Sequence, residues 1–344
     1  MSNLEYKKKY SSEMDVLKAL GTIYIIVSHS GSFLSHFFYQ FHVPLFFFVS
    51  GFFYKSEYVD KQVKFVLSRI KTLYIPFLCY QIPFLLGHNI FYKFNMYSDF
   101  YDMKTMLLRL LKIFSFQSEE KLLGVFWFIP VLFMSLLLFN ILRRVIAFSN
   151  RAVSEKLFFL FVIFLFGVAM YCAFSGYILP RNFLIAFIAL PIVYSGYLYK
   201  KYYEAIPLKI EYAAIAVVLL LISLPFGNIN MVSYRYIDPF FFLGCSIAGI
   251  YLNLYVAKFS FFQKSPLILF VAKNSLHLLA FHFVAFKLIT IIQIKIYNLP
   301  LKELSVFPFL DIGGWWWIAY SITGFILPLI IVKGIVSLKV RIAS

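Results

Sequence analysis

The chain is 344 residues long, and 62% of its residues are hydrophobic and 21% aromatic. Because soluble domains contain roughly 45–50% apolar residues, this composition excludes a soluble globular protein and predicts an all-α, polytopic membrane protein. The formal net charge of +17 would suit nucleic-acid binding, but the basic residues lie between apolar segments, as the positive-inside rule predicts. We therefore expect the lipid bilayer, and no nucleic acid, as a partner.

A membrane-spanning helix needs roughly 20 mainly apolar residues. Several segments approach that length, and we predict about ten transmembrane helices. The predicted spans cover residues 14–35, 40–55, 72–93, 124–147, 157–176, 182–199, 211–227, 236–257, 266–292 and 315–337. They leave no soluble domain over, so we expect residues 1–344 to form a single membrane domain.

The first predicted span carries a polar stripe. Residues seven apart on a helix lie about 20° from one another around its axis, and Asp15, Thr22, His29 and His36 have this spacing. Lys18 falls about 60° from Asp15 by the same geometry. Because such a stripe is too costly to expose to lipid, we expect this face to line the bundle interior or a water-filled cavity.

Lys18 and His29 lie at different depths along this helix. With a rise of 1.5 Å per residue, the two residues are about 16 Å apart along the axis. His42 begins the second span just before Pro44, at the outer side of the membrane and within reach of the level of His29 and His36. Asp15 is about 21 Å from His29, so a partner that orients His29 must come from another span.

These side chains suit acyl transfer. A neutral His29 could take the proton of an incoming hydroxyl as a general base. Lys18 near the cytosolic surface could hold the phosphates of an acyl-CoA as a point charge, and Arg69 and Lys71 could complete that basic mouth. The structural alternatives are that the histidine only links helices and that the lysine is a snorkelling anchor.

The longest connection, residues 94–123, contains an amphipathic segment between Met103 and Phe116. Apolar and basic side chains recur there at helical spacing, which predicts an interfacial helix. The apolar residues are Leu107, Leu110, Leu111 and Phe114, and the basic residues are Lys104, Arg109 and Lys112.

The orientation of the predicted helices follows from Lys and Arg in the connections. With the N-terminus inside, the cytosolic connections carry the larger share of these residues, as the positive-inside rule requires. An even number of spans then places both termini in the cytosol. We expect a multi-pass protein of the cytoplasmic (inner) cell membrane.

Five short motifs are shared with one known family. They are Asp15, Lys18 and His29 in the first span; the run FHVPLFFFVSG at Phe41–Gly51; the basic segment Ser68–Pro76; the Trp-Phe element Phe126–Pro130; and Asn274-Ser275-Leu276 followed by His282. On these motifs the sequence resembles the integral-membrane acyltransferase-3 family, in particular its fucose 4-O-acetylase-like polysaccharide O-acetyltransferases.

The resemblance implies an activity. Such an enzyme moves an acetyl group from acetyl-CoA to a sugar hydroxyl of a cell-envelope or capsular polysaccharide, or of its lipid-linked precursor. His29 is then the general base or relays the acyl group, and no metal ion is expected. The residues expected to bind acyl-CoA are Lys18, Arg69 and Lys71, and those expected to shape the acceptor side are Asp15, His42 and His282.

The sequence departs from the family pattern at two basic positions. Many members carry a paired RxxR motif before the proline of the third span, whereas the residue three after Arg69 is Thr72. The basic residue of the first span is often Arg, and Lys18 cannot bind phosphate in a bidentate manner. The rival interpretation is a transporter or flippase, with the polar stripe along the substrate pathway and His29 in a proton relay.

Overall fold

The computed structural model describes residues 3–149, 154–177 and 181–343. The described residues form helices joined by turns and short 3₁₀ segments, without a β-strand, which confirms the all-α class. The helices are α1 (Asn3–Ser28), α2 (Ser35–Tyr39), α3 (His42–Phe52), α4 (Gln62–Arg69), α5 (Ile75–Lys93), α6 (Met103–Phe114), α7 (Phe128–Ser149), α8 (Ser154–Ser175), α9 (Arg181–Tyr202), α10 (Ile210–Ser223), α11 (Pro239–Ala257), α12 (Ser260–Lys264), α13 (Pro266–Lys273), α14 (Ser275–Ile296) and α15 (Trp316–Ala343).

Seven helical segments of the described chain are long and apolar enough to cross a membrane. They are Gln62–Lys93, Lys121–Ile146, Glu155–Ser175, Phe183–Tyr202, Pro239–Ala257, Ser275–Ile296 and Trp316–Gly334. The chain is therefore a multi-pass membrane protein by length and composition of its helices, while the predicted number of ten spans is not confirmed.

The three remaining predicted spans are short or charged. Helix α3 has 11 residues and α10 has 14, and a bilayer core needs roughly 20. Helix α1 is long enough, but it carries Glu13, Asp15 and Lys18 within a few turns. The apolar content of these segments led the sequence prediction to count them as full spans.

The chain divides into two compact units. The first unit comprises Met1–Lys18, Tyr39–Ile75 and Phe128–Gln263, and the second comprises Ala19–Phe38, Pro76–Trp127 and Lys264–Ser344. Each unit combines segments that are distant in sequence. The interpretation of residues 1–344 as a single domain stays a prediction.

In the first unit, α3 and α9 pack closely through two glycines. A Cβ atom on Gly51 would lie 1.9 Å from the carbonyl oxygen of Val193, and one on Gly196 would lie 1.9 Å from that of Phe48. Only glycine fits at these two positions. Small residues that allow close backbone approach are typical of helix contacts within membranes.

A polar network joins α7, α8 and α9 in the same unit. Arg143 Nη1 lies 3.0 Å from Glu155 Oε1, and Lys201 Nζ lies 3.1 Å from the same oxygen. Tyr194 donates its hydroxyl proton to the other carboxylate oxygen, and Arg143 donates a second hydrogen bond to the hydroxyl of Tyr197. Every charged group of this network therefore has a partner.

In the second unit, α14 packs against α15, and the segment after α14 folds over it. Gly324 of α15 faces Phe286, whose ring would lie 2.3 Å from an added Cβ atom. The ring of Phe307, in the connection before α15, lies 4.7 Å from that of Phe283 on α14. This aromatic packing surrounds the end of α1.

Helix α1 ends at Ser28, seven residues before the predicted end of the first span. Gly31 follows with φ +81, a backbone conformation that favours glycine, and its α-carbon faces the ring of Phe309. His36 lies on the separate short helix α2 and is exposed. The prediction of one polar stripe extending as far as His36 is therefore wrong, because the chain turns directly after His29.

The predicted amphipathic segment forms α6. The carboxylate of Asp102 accepts a hydrogen bond from the Thr105 amide at 2.8 Å and caps the helix, as expected for an N-cap residue. Leu107 and Leu111 are more than half exposed, which is consistent with a helix that places its apolar face against lipid.

Candidate active site

Two histidines meet in the second unit. His29 follows the last residue of α1, and His282 lies in the second turn of α14. Their ring centroids are 5.7 Å apart, and the rings are tilted by 47°. His282 is fully buried, whereas His29 is partly exposed. Two residues predicted separately are thus parts of one histidine pair.

The backbone fixes the tautomer of both rings. Nδ1 of His29 lies 2.8 Å from the carbonyl oxygen of Ile25, and Nδ1 of His282 lies 2.8 Å from that of Leu279. Because a carbonyl oxygen only accepts hydrogen bonds, each Nδ1 carries the hydrogen and each neutral ring keeps its lone pair on Nε2. This is the form of imidazole that can act as a general base.

Nε2 of His282 has no hydrogen-bond partner among the described residues, although it is buried. Buried polar atoms are paired in the great majority of cases, so this nitrogen is unusual. Its position beside His29 makes a contribution to chemistry or to substrate binding the simplest explanation.

Aromatic side chains enclose the pair. The ring centroid of Phe283 lies 5.2 Å from that of His29 and 3.9 Å from that of His282. Phe286 lies 5.5 Å from His282 in an edge-to-face arrangement. These rings shield the histidine pair from bulk water, and electrostatic interactions are stronger in such an environment.

A small polar cavity is lined by Ser30, the residue that follows His29. It has a volume of about 40 Å³, and its lining includes Ser30, Gly31, Tyr320 and residues 309–314. Ser321 donates a hydrogen bond of 2.8 Å to Ser30 at this point. A volume of this size accommodates one or two water molecules or a single hydroxyl group.

The other predicted site residues belong to the first unit. Lys18 Nζ lies 2.6 Å from Asp15 Oδ1, and its ammonium is 5.9 Å from the ring centre of Phe53. The side chains of Lys18 and Asp15 are 30% and 22% exposed, so a ligand could still reach them. The predicted phosphate contact would compete with this ion pair.

Arg69 precedes an irregular turn at the start of the third predicted span, and Lys71 lies within that turn. Residues Ile70–Tyr74 form a π-helical turn, because Pro76 lacks an N–H and its ring clashes with the carbonyl four residues earlier. Lys71 is exposed, and the buried Nε of Arg69 has no hydrogen-bond partner among the described residues. π-helical turns occur frequently at functional sites.

His42 is buried at the start of α3, with its ring 4.9 Å from that of Tyr39. It belongs to the first unit, whereas His29 and His282 belong to the second. The structure therefore groups one of the predicted acceptor-side residues, His282, with the predicted base.

Three polar groups of the second unit, buried or half-buried, escaped the sequence prediction as site residues. Lys287 is 1% exposed, and its ammonium donates to the carbonyl of Val306 at 2.6 Å. His277 contacts the hydroxyl of Tyr80. His277 and Lys287 occur in one apolar span, and this pattern in the sequence could have indicated both residues.

The third group is the pair of His88 and Glu120, which are 1% and 2% exposed. His88 Nδ1 lies 3.0 Å from Glu120 Oε2, and Nε2 donates to the carbonyl of Asp99 at 2.9 Å. Burial raises the pKa of Glu120 against the opposing effect of its hydrogen bond to His88. No short motif predicts this pair, since its members are far apart in sequence.

Comparison with models of known protein families identifies the family of this chain. The model of the acyltransferase-3 family, described as an acyltransferase domain, matches residues 11–333. No curated protein and no solved structure matches the chain. The matched range contains the histidine pair and every predicted site residue.

Proposed function

The chain belongs to the acyltransferase-3 family, and from this premise we propose that it is a membrane O-acetyltransferase. It moves an acetyl group from acetyl-CoA to a sugar hydroxyl of a cell-envelope or capsular polysaccharide, or of its lipid-linked precursor, in the cytoplasmic membrane. The observation that supports this proposal best is the histidine pair in its aromatic enclosure, in which Nδ1 of each ring lies at hydrogen-bond distance from a backbone carbonyl oxygen.

In the proposed reaction, His29 acts as the general base. The acceptor O–H bond breaks, its proton moves to Nε2 of His29, and the oxygen forms a bond to the thioester carbonyl carbon. The carbon–sulfur bond then breaks, and the CoA thiolate leaves and takes up the proton that His29 holds. The products are an acetyl ester and free CoA, and His29 is neutral again.

The two histidines have different roles in this proposal. His29 is partly exposed and directly precedes Ser30, which lines the small cavity, so we assign the contact with the acceptor hydroxyl to His29. His282 is fully buried and accepts no hydrogen bond at Nε2 from the described residues. It is a positioning residue that stabilises the imidazolium of His29 while the proton resides there.

Binding of the donor is assigned to Lys18, Arg69 and Lys71. The support is the exposure of Lys71, the unpartnered Nε of Arg69 and the partial exposure of Lys18. An ammonium or guanidinium group attracts the phosphates of CoA. Asp15 then holds Lys18 through their ion pair, and His42 stays assigned to the acceptor side by resemblance alone.

The test is acetyl transfer by the purified full chain in detergent. Acetyl-CoA and envelope glycans are supplied, and both CoA release and glycan acetylation are measured for wild type, His29→Ala and His36→Ala. General-base catalysis contributes about 10²–10⁴ in rate, so His29→Ala should abolish measurable transfer. His36→Ala, at an exposed histidine on α2, should retain it.

Retained transfer in His29→Ala would overturn the role of this residue. Failure of wild type to bind acetyl-CoA at all would overturn the acyltransferase mechanism and support the transporter interpretation. A transporter moves its substrate unmodified and needs no thioester.

A further inference from the structure

The second unit contains a large cavity that the proposed reaction does not use. Its volume is about 610 Å³, within the range of about 300–1,000 Å³ that is typical of small-molecule sites. One wall is formed by residues 92–98, which include the end of α5, and the other by residues 302–306 before α15.

The lining combines aromatic, hydroxyl, amide and charged groups. Tyr92, Asn95 and Ser98 stand on one wall, and Ser305 on the other. Aromatic rings pack against the C–H faces of sugars, while amide and hydroxyl groups both donate and accept hydrogen bonds. A saccharide presents both kinds of surface, so this lining fits a sugar better than a lipid chain.

The charges of the lining favour an anion. Lys93 and Lys302 face a single carboxylate in the lining, that of Glu303. Both lysines are exposed, so each can reach a ligand through its flexible side chain. A lysine ammonium attracts a carboxylate as a point charge.

In the wall formed by residues 92–98, Tyr97 is fixed by its contact with His88. Tyr97 is 3% exposed, and its ring stacks on that of His88 at 4.2 Å with an angle of 15°. Tyr101 stacks on His88 at 3.3 Å, and Glu120 binds the Nδ1 of the same ring. Because both ring nitrogens and both faces of His88 are occupied, Tyr97 has a fixed position in the wall.

The opposite wall is connected with the histidine pair. Lys287 binds the carbonyl of Val306, which lines the cavity. The next residue, Phe307, lies 4.7 Å from Phe283, whose ring contacts His29 at 5.2 Å. A ligand in this cavity would therefore lie against a segment that packs directly on the proposed active site.

We propose that this cavity binds a carboxylate-bearing sugar unit, such as a uronate, of the acceptor glycan. The inference rests on the proposed function for the identity of the ligand as an acceptor, and it adds an acidic sugar as the substrate class. Lys302 binds the carboxylate and Tyr92 packs against the sugar ring, while His88 and Glu120 position Tyr97.

The test measures saccharide binding to the purified full chain by calorimetry, without acetyl-CoA. Three probes are used: tetragalacturonate, the neutral maltotetraose of equal length, and inorganic phosphate. Tetragalacturonate should bind about tenfold more tightly than maltotetraose, which corresponds to roughly 1.4 kcal/mol, and phosphate should not displace it.

Three variants locate the binding. Lys302→Gln and Tyr92→Ala, both at exposed positions, should each weaken binding of tetragalacturonate by about tenfold. Lys295→Gln is the matched control, because Lys295 is exposed in the last turn of α14 and does not line the cavity. It should leave binding unchanged.

Several results would overturn the proposal: no binding of tetragalacturonate, equal binding of both saccharides, displacement by phosphate, or full binding by Lys302→Gln and Tyr92→Ala. These experiments distinguish failure of the proposed function from failure of the proposed cavity ligand. Binding of tetragalacturonate is measured without acetyl-CoA and does not depend on turnover, so uronate binding without thioester turnover would contradict only the enzyme. Acetyl transfer with unaltered binding in the cavity variants would contradict only the cavity.

Discussion

The polar network of α7–α9 and the histidine pair of the second unit both lie among aromatic rings. They differ in how many of their polar atoms have a hydrogen-bond or ion-pair partner. In the network, Glu155 binds Arg143, Lys201 and Tyr194. In the pair, each Nδ1 is bound to backbone, and Nε2 of His282 has no partner among the described residues.

This difference indicates that the network stabilises the fold, whereas the pair is the candidate for chemistry. Paired polar groups between helices specify packing, and breaking such pairs costs stability. A buried group that keeps an open lone pair sacrifices hydrogen-bond energy, which is expected where the lone pair is needed for a reaction. We therefore expect substitutions in the pair to lower the rate, and substitutions in the network to lower the stability.

The largest effect within this comparison is expected for His282. Replacing it by Leu removes the buried imidazole that stabilises His29 during proton transfer, and kcat should fall by about 10²-fold. KM for acetyl-CoA should stay unchanged, because His282 is not assigned to the donor. Steady-state kinetics of the variant check this prediction, and a rise in KM at constant kcat would contradict it.

The opposite behaviour is expected for Arg143. In Arg143→Met the carboxylate of Glu155 loses one of its two cationic partners, and the free energy of unfolding should fall by about 1–3 kcal/mol. Thermal unfolding in detergent measures the loss. The transfer rate per folded molecule should match wild type, and a selective loss of rate at unchanged stability would break the distinction between the two regions.

A smaller, pH-dependent effect is expected at Glu120. Burial raises the pKa of this carboxyl group, so the folded protein binds its proton more tightly than the unfolded chain does. The resulting stability is complete below the ordinary glutamate pKa of about 4.3 and is lost as the pH rises through the raised pKa.

The check compares wild type with Glu120→Gln, which cannot titrate. Between about pH 4 and pH 7, the melting temperature of wild type should fall relative to that of the variant. Glu57→Gln, at an exposed carboxylate of the first unit, controls for the loss of a charge. A constant difference between wild type and Glu120→Gln would show that this carboxyl group keeps an ordinary pKa.

The smallest effect is expected at the start of α6. Hydrogen bonds from Thr105 lower the pKa of Asp102, so its capping contribution is present above about pH 3.9 and is lost as the pH falls through the lowered pKa. Asp102→Ala should speed amide exchange in the first turn of α6, measured by mass spectrometry at neutral pH. Asp102→Asn retains a capping group and should exchange as wild type does.

The sequence could predict the isolated polar residues of the site, because polar groups are rare and costly in apolar segments. His29 was found in this way, and His282 through the late motif. Their proximity was not predictable, because the pair joins the end of α1 to the N-terminal part of α14, which is distant in sequence. The same limitation applies to His88 and Glu120, which come together only through the fold.

Helix ends were predicted least well. The apolar pattern continues past Ser28, and the turn there depends on Gly31 and on the distant ring of Phe309. The prediction of a polar stripe as far as His36 is wrong for that reason. The number of spans also rested on apolar content, which does not reveal that α3 extends for 11 residues only.

The most direct test of the central claim, that His29 is the general base of the acyl transfer, is a single-turnover measurement. Protein is mixed with radiolabelled acetyl-CoA and envelope glycan, and the label on the glycan is followed over time. Wild type should transfer the label, and His29→Ala with unchanged thermal stability should transfer none above background. Labelling by His29→Ala at the wild-type rate would contradict the account.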